Sequence, residues 1–261
     1  MITKIVHPSI SIATCVSGIL VIESQDNRPD FILPLYANGS PTLVFQTARA
    51  TKQDKTIGHL ALYGQTILPG ELSFTGNFTL IAYFLHPHAL KTLFEINAGE
   101  LTNGCIDLHT IKQAREINLQ EQLLNAATLH ERLRLIDDFI LQLSGLHNTP
   151  DKKIIFATSA LQKDNSIHIL TDIQRQLNIT ERSLQRLFET HVGISPKMYK
   201  RICQFQAAFQ QLNQYEFSKL TDVAFDHDFA DQSHFIRVFK EFTGITPKAY
   251  LAKSAPYNPK F

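Results

Sequence analysis

The sequence predicts an α+β chain of two domains, a β-rich N-terminal part followed by an all-α C-terminal domain. Three observations carry this prediction. Short runs of β-branched and aromatic residues crowd residues 1–110. The C-terminal part holds an internal repeat of helix–turn–helix pattern. Between them lies Ser144–Asp151 (SGLHNTPD), a polar stretch rich in breakers and read as a linker. A chain of 261 residues, 44% hydrophobic, is long and apolar enough to bury more than one core.

Within residues 1–110 the predicted strands are Gly18–Glu23, Thr42–Thr47, Gly58–Leu68 and Phe78–Leu85. Turn-prone Asn38-Gly-Ser-Pro41, Pro69-Gly70 and Gly76-Asn77 separate them. Many short strands with such turns suggest a sandwich or a barrel. His88 is placed at the start of a short helix, Ala89–Phe94.

Residues 111–146 read as a helical segment, with helices over Gln113–Ala126 and Leu129–Leu143. Leu129, Leu133, Ile136, Ile140 and Leu143 repeat at 4-3-4-3, the stripe of a helix that packs on another apolar surface. That surface is either the domain's own sheet or a second copy of the chain, so a homodimer is one of two readings.

The repeat is the most informative feature. Arg186–Tyr199 (RLFETHVGISPKMY) recurs 51 residues later as Arg237–Tyr250 (RVFKEFTGITPKAY), with 7 of 14 positions identical. Upstream, Leu170-Thr-Asp-Ile173 is echoed by Leu220-Thr-Asp-Val223. Each copy reads as helix, turn, helix, at about 169–192 and 219–243, within a domain spanning 151–253. In the first copy Thr171 is the expected N-cap of Asp172–Leu177, Asn178 takes the turn, and Thr180 caps a helix that Gly193 stops. In the second, Thr221 is expected to cap Asp222–His227 and Asp231 to cap Gln232–Thr243. Leu184, Leu187 and Phe188 form one apolar face, and Phe235, Val238, Phe239 and Phe242 the other. A longer helix, Pro196–Leu212, joins the copies, with Pro196 suited to its first turn.

Two such units suit double-stranded DNA. The major groove admits one α-helix, and two units on a stiff connector would enter successive grooves about one turn (~34 Å) apart. Arg pairs bidentately with guanine and Gln with adenine. The outward face of the first unit carries Arg182, Gln185 and Arg186, and that of the second Gln232, Ser233, Ile236 and Arg237. Lys197, Lys200, Arg201 and Lys248, near the helix starts that follow each turn, suit phosphates.

Ile179–Tyr199 (ITERSLQRLFETHVGISPKMY) and Phe229–Tyr250 (FADQSHFIRVFKEFTGITPKAY) resemble the two halves of the AraC/XylS DNA-binding domain. The resemblance implies a bacterial transcription regulator and places base-facing roles on the seven residues just named. It also implies a small cupin-type β-barrel as the N-terminal sensor. The segments around Ile32-Leu-Pro34, Leu43-Val-Phe45, Gly64-Gln65 and Phe84-Leu-His-Pro-His88 are similar to a variant sensor domain of such regulators. Three positions depart from the family pattern. Asp228 stands where Gly is usual, which predicts a reshaped turn. Gln174 replaces a small Ala, and Ile236 replaces Ser or Thr, so the second unit is expected to read bases less stringently.

Other classes fare worse. A metal-binding barrel places His-x-His on a strand, but in His86-Pro-His88 the proline interrupts it, and no cofactor or metal is expected. No phosphate loop, nucleophile elbow or Cys/His pair stands out, so the reading is not an enzyme, with a cupin-type enzyme the remote alternative. The three cysteines form no CxxC pair, the N-terminus lacks the apolar core of a signal peptide, and no run approaches the ~18 apolar residues of a membrane helix, so a cytoplasmic protein without membrane partners is expected. Residues 1–150 carry 10 Lys and Arg against 13 Asp and Glu, while 151–261 carry 15 against 11, a split that suits a basic module on a near-neutral partner. The N-terminal domain is then either a sensor of a small-molecule effector or a dimerisation and docking module with no ligand. RNA polymerase is an expected partner if the chain activates.

Overall fold

In the computed structural model, which describes residues 1–24, 30–146 and 150–252, nine strands come first. These are β1 (Ile2–Val6), β2 (Val16–Ser24), β3 (Asp30–Leu35), β4 (Thr42–Gln46), β5 (Ala50–Lys52), β6 (Lys55–Ile57), β7 (Leu60–Tyr63), β8 (Gly70–Thr75) and β9 (Phe78–Leu85). Helix α1 (Ala89–Phe94) and a 3-10 turn at Ala98–Leu101 precede β10 (Cys105–Asp107). All pairings are antiparallel, in a six-stranded sheet ordered β1-β2-β9-β4-β7-β10 and a four-stranded sheet ordered β3-β8-β5-β6.

Period-2 alternation explains the layering. Leu20, Ile22, Val44, Leu80, Ala82 and Phe84 of the large sheet face Leu33, Leu72 and Phe74 of the small one. Phe74 and Phe78 stack there with ring centroids 4.2 Å apart. The intervening residues, among them Ile19, Val21, Leu43, Phe45, Ile81 and Tyr83, point the other way into a second core. That core is roofed by α1 together with α2 (Lys112–Glu116), α3 (Leu119–Asn125) and α4 (Leu129–Leu146). The expected barrel is therefore not closed. Both faces of the large sheet are apolar, so it serves as the middle layer between the small sheet and the helices, and no described strand joins the two sheets.

The predicted helix Gln113–Ala126 is two helices, because Asn118 adopts a left-handed φ of 49° between them. The stripe on α4 packs on its own sheet: Ile136, Ile140 and Leu143 are buried, with Leu129 and Leu133 partly so. Tyr83 Oη donates to Asp137 Oδ1 (2.7 Å) and pins α4 to β9. The linker Ser144–Asp151 lies in part outside the described residues, at 147–149, as does residue 253 at the end of the C-terminal domain.

The C-terminal domain consists of α5 (Lys152–Lys163), α6 (Ile169–Leu177), α7 (Glu181–His191), α8 (Pro196–Gln214), α9 (Leu220–Asp226), α10 (Gln232–Thr243) and α11 (Pro247–Ala252). Helix α8 runs through its centre, where Phe205 and Phe209 meet Phe239 with centroids 5.7 and 5.6 Å away. The N-terminal domain reaches into this core. Ala37, just after β3, is fully buried among its residues, and Tyr36 packs edge-on against Phe209 at 5.6 Å.

Candidate nucleic-acid interface and interdomain cavity

The two helix–turn–helix units are α6–α7 and α9–α10, joined by α8. Thr180 Oγ1 accepts from the Ser183 amide (3.2 Å) to cap α7, and Asp231 Oδ1 accepts from the His234 amide (2.7 Å) to cap α10. The first helix of each unit starts earlier than expected. Helix α6 begins at Ile169 and α9 at Leu220, so Thr171 and Thr221 lie within the helices rather than capping them. At α9 the cap works backward: Asp222 Oδ2 accepts from the Lys219 amide at 2.8 Å.

The turns of the two units have the same shape. Asn178 and Asp228 are both left-handed, at φ 51° and 57°. The next residue in each closes the turn, Ile179 N donating to Gln174 O and Phe229 N to Ala224 O, both at 3.0 Å. Asp228 thus holds the turn that Gly usually makes, and the expected reshaping does not occur.

Amphipathicity separates core from candidate reading face. On α7, Leu184 and Phe188 are buried while Arg182, Gln185, Arg186 and Glu189 are exposed and, with Thr180 and Ser183, rim a shallow surface depression. Gln185 Nε2 donates to Glu189 Oε1 (3.1 Å). On α10, Phe235, Val238, Phe239 and Phe242 are buried, Ser233 and Arg237 exposed, and Gln232 and Ile236 half-buried. Gln232 Oε1 accepts from Thr221 Oγ1 (3.2 Å), which links the two helices of the second unit.

The four phosphate candidates divide. Lys197 and Lys248 are exposed, Lys197 making only a solvent-exposed pair with Glu181 at 3.5 Å. Lys200 and Arg201 are engaged within the domain. Lys200 Nζ donates to the Ser166 carbonyl (2.8 Å), and Arg201 makes two hydrogen bonds to Glu241, 3.1 and 2.6 Å, with its guanidinium over the Phe242 ring. Arg201 stays partly exposed, and its pair with Glu241 ties α8 to α10 at the surface.

The N-terminal domain holds the repeat at equivalent points. Gly193, in the turn after α7, has φ 87°, and Thr102 Oγ1 donates to its carbonyl at 2.9 Å. Gly244, its counterpart after α10, has φ 78° and lies against Pro69. Gln206 of α8 donates to the Ala37 carbonyl. His88 is buried with its ring stacked on His86 (centroids 5.8 Å), and burial, then His86 and His191, lowers its pKa to about 4. Among the described residues no group of three or more His, Cys, Asp or Glu side chains is placed to hold a metal ion.

Between the domains lies a cavity of about 390 Å³. Its walls are the facing surfaces of the two sheets, through residues such as Leu33, Leu72 and Leu80, and helix α8, through Tyr199, Ile202 and Gln206. Sequence reasoning did not find it, because its lining comes from segments more than 150 residues apart.

The arrangement defines a double helix–turn–helix module docked on a β domain. Residues 173–253 match a family model described as a helix-turn-helix domain, and residues 4–107 one described as a domain of unknown function (DUF6597). Over 92 residues, 34% of this chain, the sequence is 32% identical to the HTH-type transcriptional activator AarP of Providencia stuartii. Over 132 residues, 50% of the chain, it is 24% identical to an uncharacterized HTH-type transcriptional regulator of Haemophilus influenzae. These matches span 65% and 44% of the two relatives' own lengths. The crystal structure of ToxT from Vibrio cholerae O395, bound to (E)-4-(8-methylnaphthalen-1-yl)but-3-enoic acid, is similar in fold at TM-score 0.50 and 14% identity, covering 90% of this chain and 98% of that one. Residues 173–253 are thus similar to the helix-turn-helix domains of AraC-type transcription regulators.

Proposed function

We propose that the chain is a sequence-specific DNA-binding transcription regulator whose N-terminal domain senses a small molecule. The observation that carries the DNA reading is the exposed face of α7, with Arg182, Gln185 and Arg186 outward on a helix whose opposite face is buried. In the second unit Ser233, Arg237 and the half-buried Gln232 and Ile236 take the same part. Lys197 and Lys248 hold phosphates, while Lys200 and Arg201 hold the domain together.

The cavity supports sensing over a purely structural N-terminal domain. Small-molecule sites are concave and mostly apolar with a few placed polar groups, and this one is walled by both domains, so its occupant bears on how they sit together. The protein is a binding protein of the cytoplasm in this reading, and it catalyses no reaction. No helix among the described residues is long and apolar enough to cross a membrane.

Footprinting and gel shift on the DNA upstream of its own and neighbouring genes test the proposal. A protected, salt-sensitive site is expected. Binding that does not distinguish these promoters from random DNA at any salt concentration overturns it.

A further inference from the structure

We infer that the ligand of the interdomain cavity is an uncharged, largely apolar molecule carrying a hydrogen-bonding group. This rests on the reading of the cavity as a ligand site. No Lys, Arg, Asp or Glu is among its lining residues. A charged ligand group brought into such a site loses its hydration and meets no Lys, Arg, Asp or Glu on the lining itself, Lys52, whose Nζ lies 5.4 Å from the Tyr63 ring centroid, not being among the lining residues; a hydroxyl, amide or carbonyl needs only one or two partners.

The tyrosines and the cysteine that line it do not change this. The Tyr36, Tyr63 and Tyr199 phenols are pushed further up by burial, and the Cys203 thiol to about 12, so all remain neutral at physiological pH. His86 Nε2 faces the Ala13 carbonyl at 3.2 Å and donates to it. Two lining amides are already engaged: Gln162 Nε2 donates to Tyr199 Oη (3.0 Å), and Gln206 to Ala37 O.

Two lining residues hold buried polar atoms that have no hydrogen-bond partner among the described residues. Tyr63 is 5% exposed, and its Oη has no hydrogen-bond partner among the described residues. Asn213 Oδ1 accepts from Tyr250 Oη (2.5 Å), which leaves its buried Nδ2 without a partner there. Buried polar groups are ordinarily paired, so these two mark where a ligand's polar atoms are met. The combination of apolar walls, one amphoteric hydroxyl and one amide donor describes a neutral amphipathic ligand.

A matched pair of fluorescent probes tests this on the full chain. N-phenyl-1-naphthylamine is neutral, and 1-anilinonaphthalene-8-sulfonate adds only a sulfonate to the same rings. The part of each signal that belongs to the cavity is the part removed by Ala207→Trp and by Thr66→Trp, which add bulk to the lining from α8 and from the segment after β7. We expect the neutral dye to bind there at least ~10-fold more tightly than the sulfonate. Ala207→Lys, which supplies a cation, should narrow or reverse that preference. Sulfonate binding as tight as that of the neutral dye overturns the uncharged ligand while leaving the cavity a ligand site. If neither filling variant changes either signal, the cavity takes up no ligand and the sensing reading falls with the inference, the DNA-binding reading being judged separately by footprinting.

Discussion

Thr102 Oγ1 donates to the carbonyl of Gly193 across 2.9 Å, joining the β domain to the turn that ends the first recognition helix. The contact is close on both sides. A Cβ built on Gly193 would lie 2.5 Å from the Ala98 carbonyl oxygen, and φ there is +87°. Gly193 is therefore required twice, by its backbone conformation and by the neighbouring domain. Its counterpart Gly244 has only Pro69 at 3.8 Å beside its Cβ position. The β domain thus grips the first unit more closely than the second.

Gly193→Ala should cost the chain roughly 1–3 kcal/mol through left-handed strain, with the clash against Ala98 added. Thr102→Val removes one hydrogen bond, about 1 kcal/mol, without backbone strain. Thermal denaturation read against limited proteolysis within 144–151 separates the effects. Both variants should speed cleavage there, Gly193→Ala the more.

Acid should destabilise the fold through a buried histidine. His88 has a pKa near 4 in the folded chain against 6.5 when unfolded, so between those values the unfolded state binds more protons and stability falls as pH falls. The gap corresponds to about 3 kcal/mol, present above pH 6.5 and lost by about pH 4. Burial lowers the His191 and His227 pKa values as well, which adds in the same direction. Denaturant titrations at pH 7.5 and 5 should show a clear loss in the parent and a smaller one in His88→Gln. An equal loss in both would assign the acid sensitivity elsewhere.

Much of the C-terminal domain was legible because its signals are local. Asn178, Thr180, Asp231 and the 51-residue repeat each act within a few residues of where they stand. The capping threonines at 171 and 221 were misleading because Asp222, three residues past the true cap, does the work at α9, and His168 caps α6 without a side-chain bond. Strands β2, β4 and β9 showed plainly because they carry apolar residues on both faces of the middle layer. Strand β3, which runs through Pro34, and β8, opening on Gly70-Glu71, belong to the small sheet and mix exposed with buried positions, which blurred them. The predicted strand Gly58–Leu68 stops at Tyr63 because the backbone at Gly64 abuts Leu101, a contact no local pattern reveals.

On DNA, Gln185→Ala should relax discrimination at one base pair by ~1–3 kcal/mol, whereas Lys197→Ala should weaken all sequences alike and reduce the salt slope by about one. Arg201→Ala should act differently again, lowering thermal stability through the lost Glu241 pair and Phe242 stacking. Competition binding against single-base operator variants at two salt concentrations distinguishes the three.

Asp228→Gly should stabilise the second unit. The turn already has a left-handed φ of 57°, which a Cβ disfavours by roughly 1 kcal/mol, partly offset by glycine's greater freedom in the unfolded chain. A gain of a few tenths to 1 kcal/mol in denaturant unfolding is expected. A loss would mean the Asp228 carboxylate contributes more than its backbone costs.

Two tyrosines on the large sheet make opposite demands. Tyr83 points to the helices, and its hydroxyl donates to Asp137 Oδ1 at 2.7 Å, while Ser9 Oγ donates to the other carboxylate oxygen at 3.0 Å. Burial and that carboxylate both push the Tyr83 phenol up, so it stays a donor at every pH the fold survives. Tyr63 points to the cavity, and its hydroxyl has no partner among the described residues. Tyr83→Phe removes a charge-assisted bond and should cost ~1.5–3 kcal/mol. Tyr63→Phe deletes a buried, unsatisfied group and should leave the unliganded protein as stable or slightly more so. If Tyr63 instead meets a ligand, Tyr63→Phe should weaken a hydrogen-bonding ligand while sparing stability, whereas Tyr83→Phe should do the reverse. Paired denaturant curves and probe titrations on the two variants decide it, and a destabilised Tyr63→Phe would show that its hydroxyl already serves the fold.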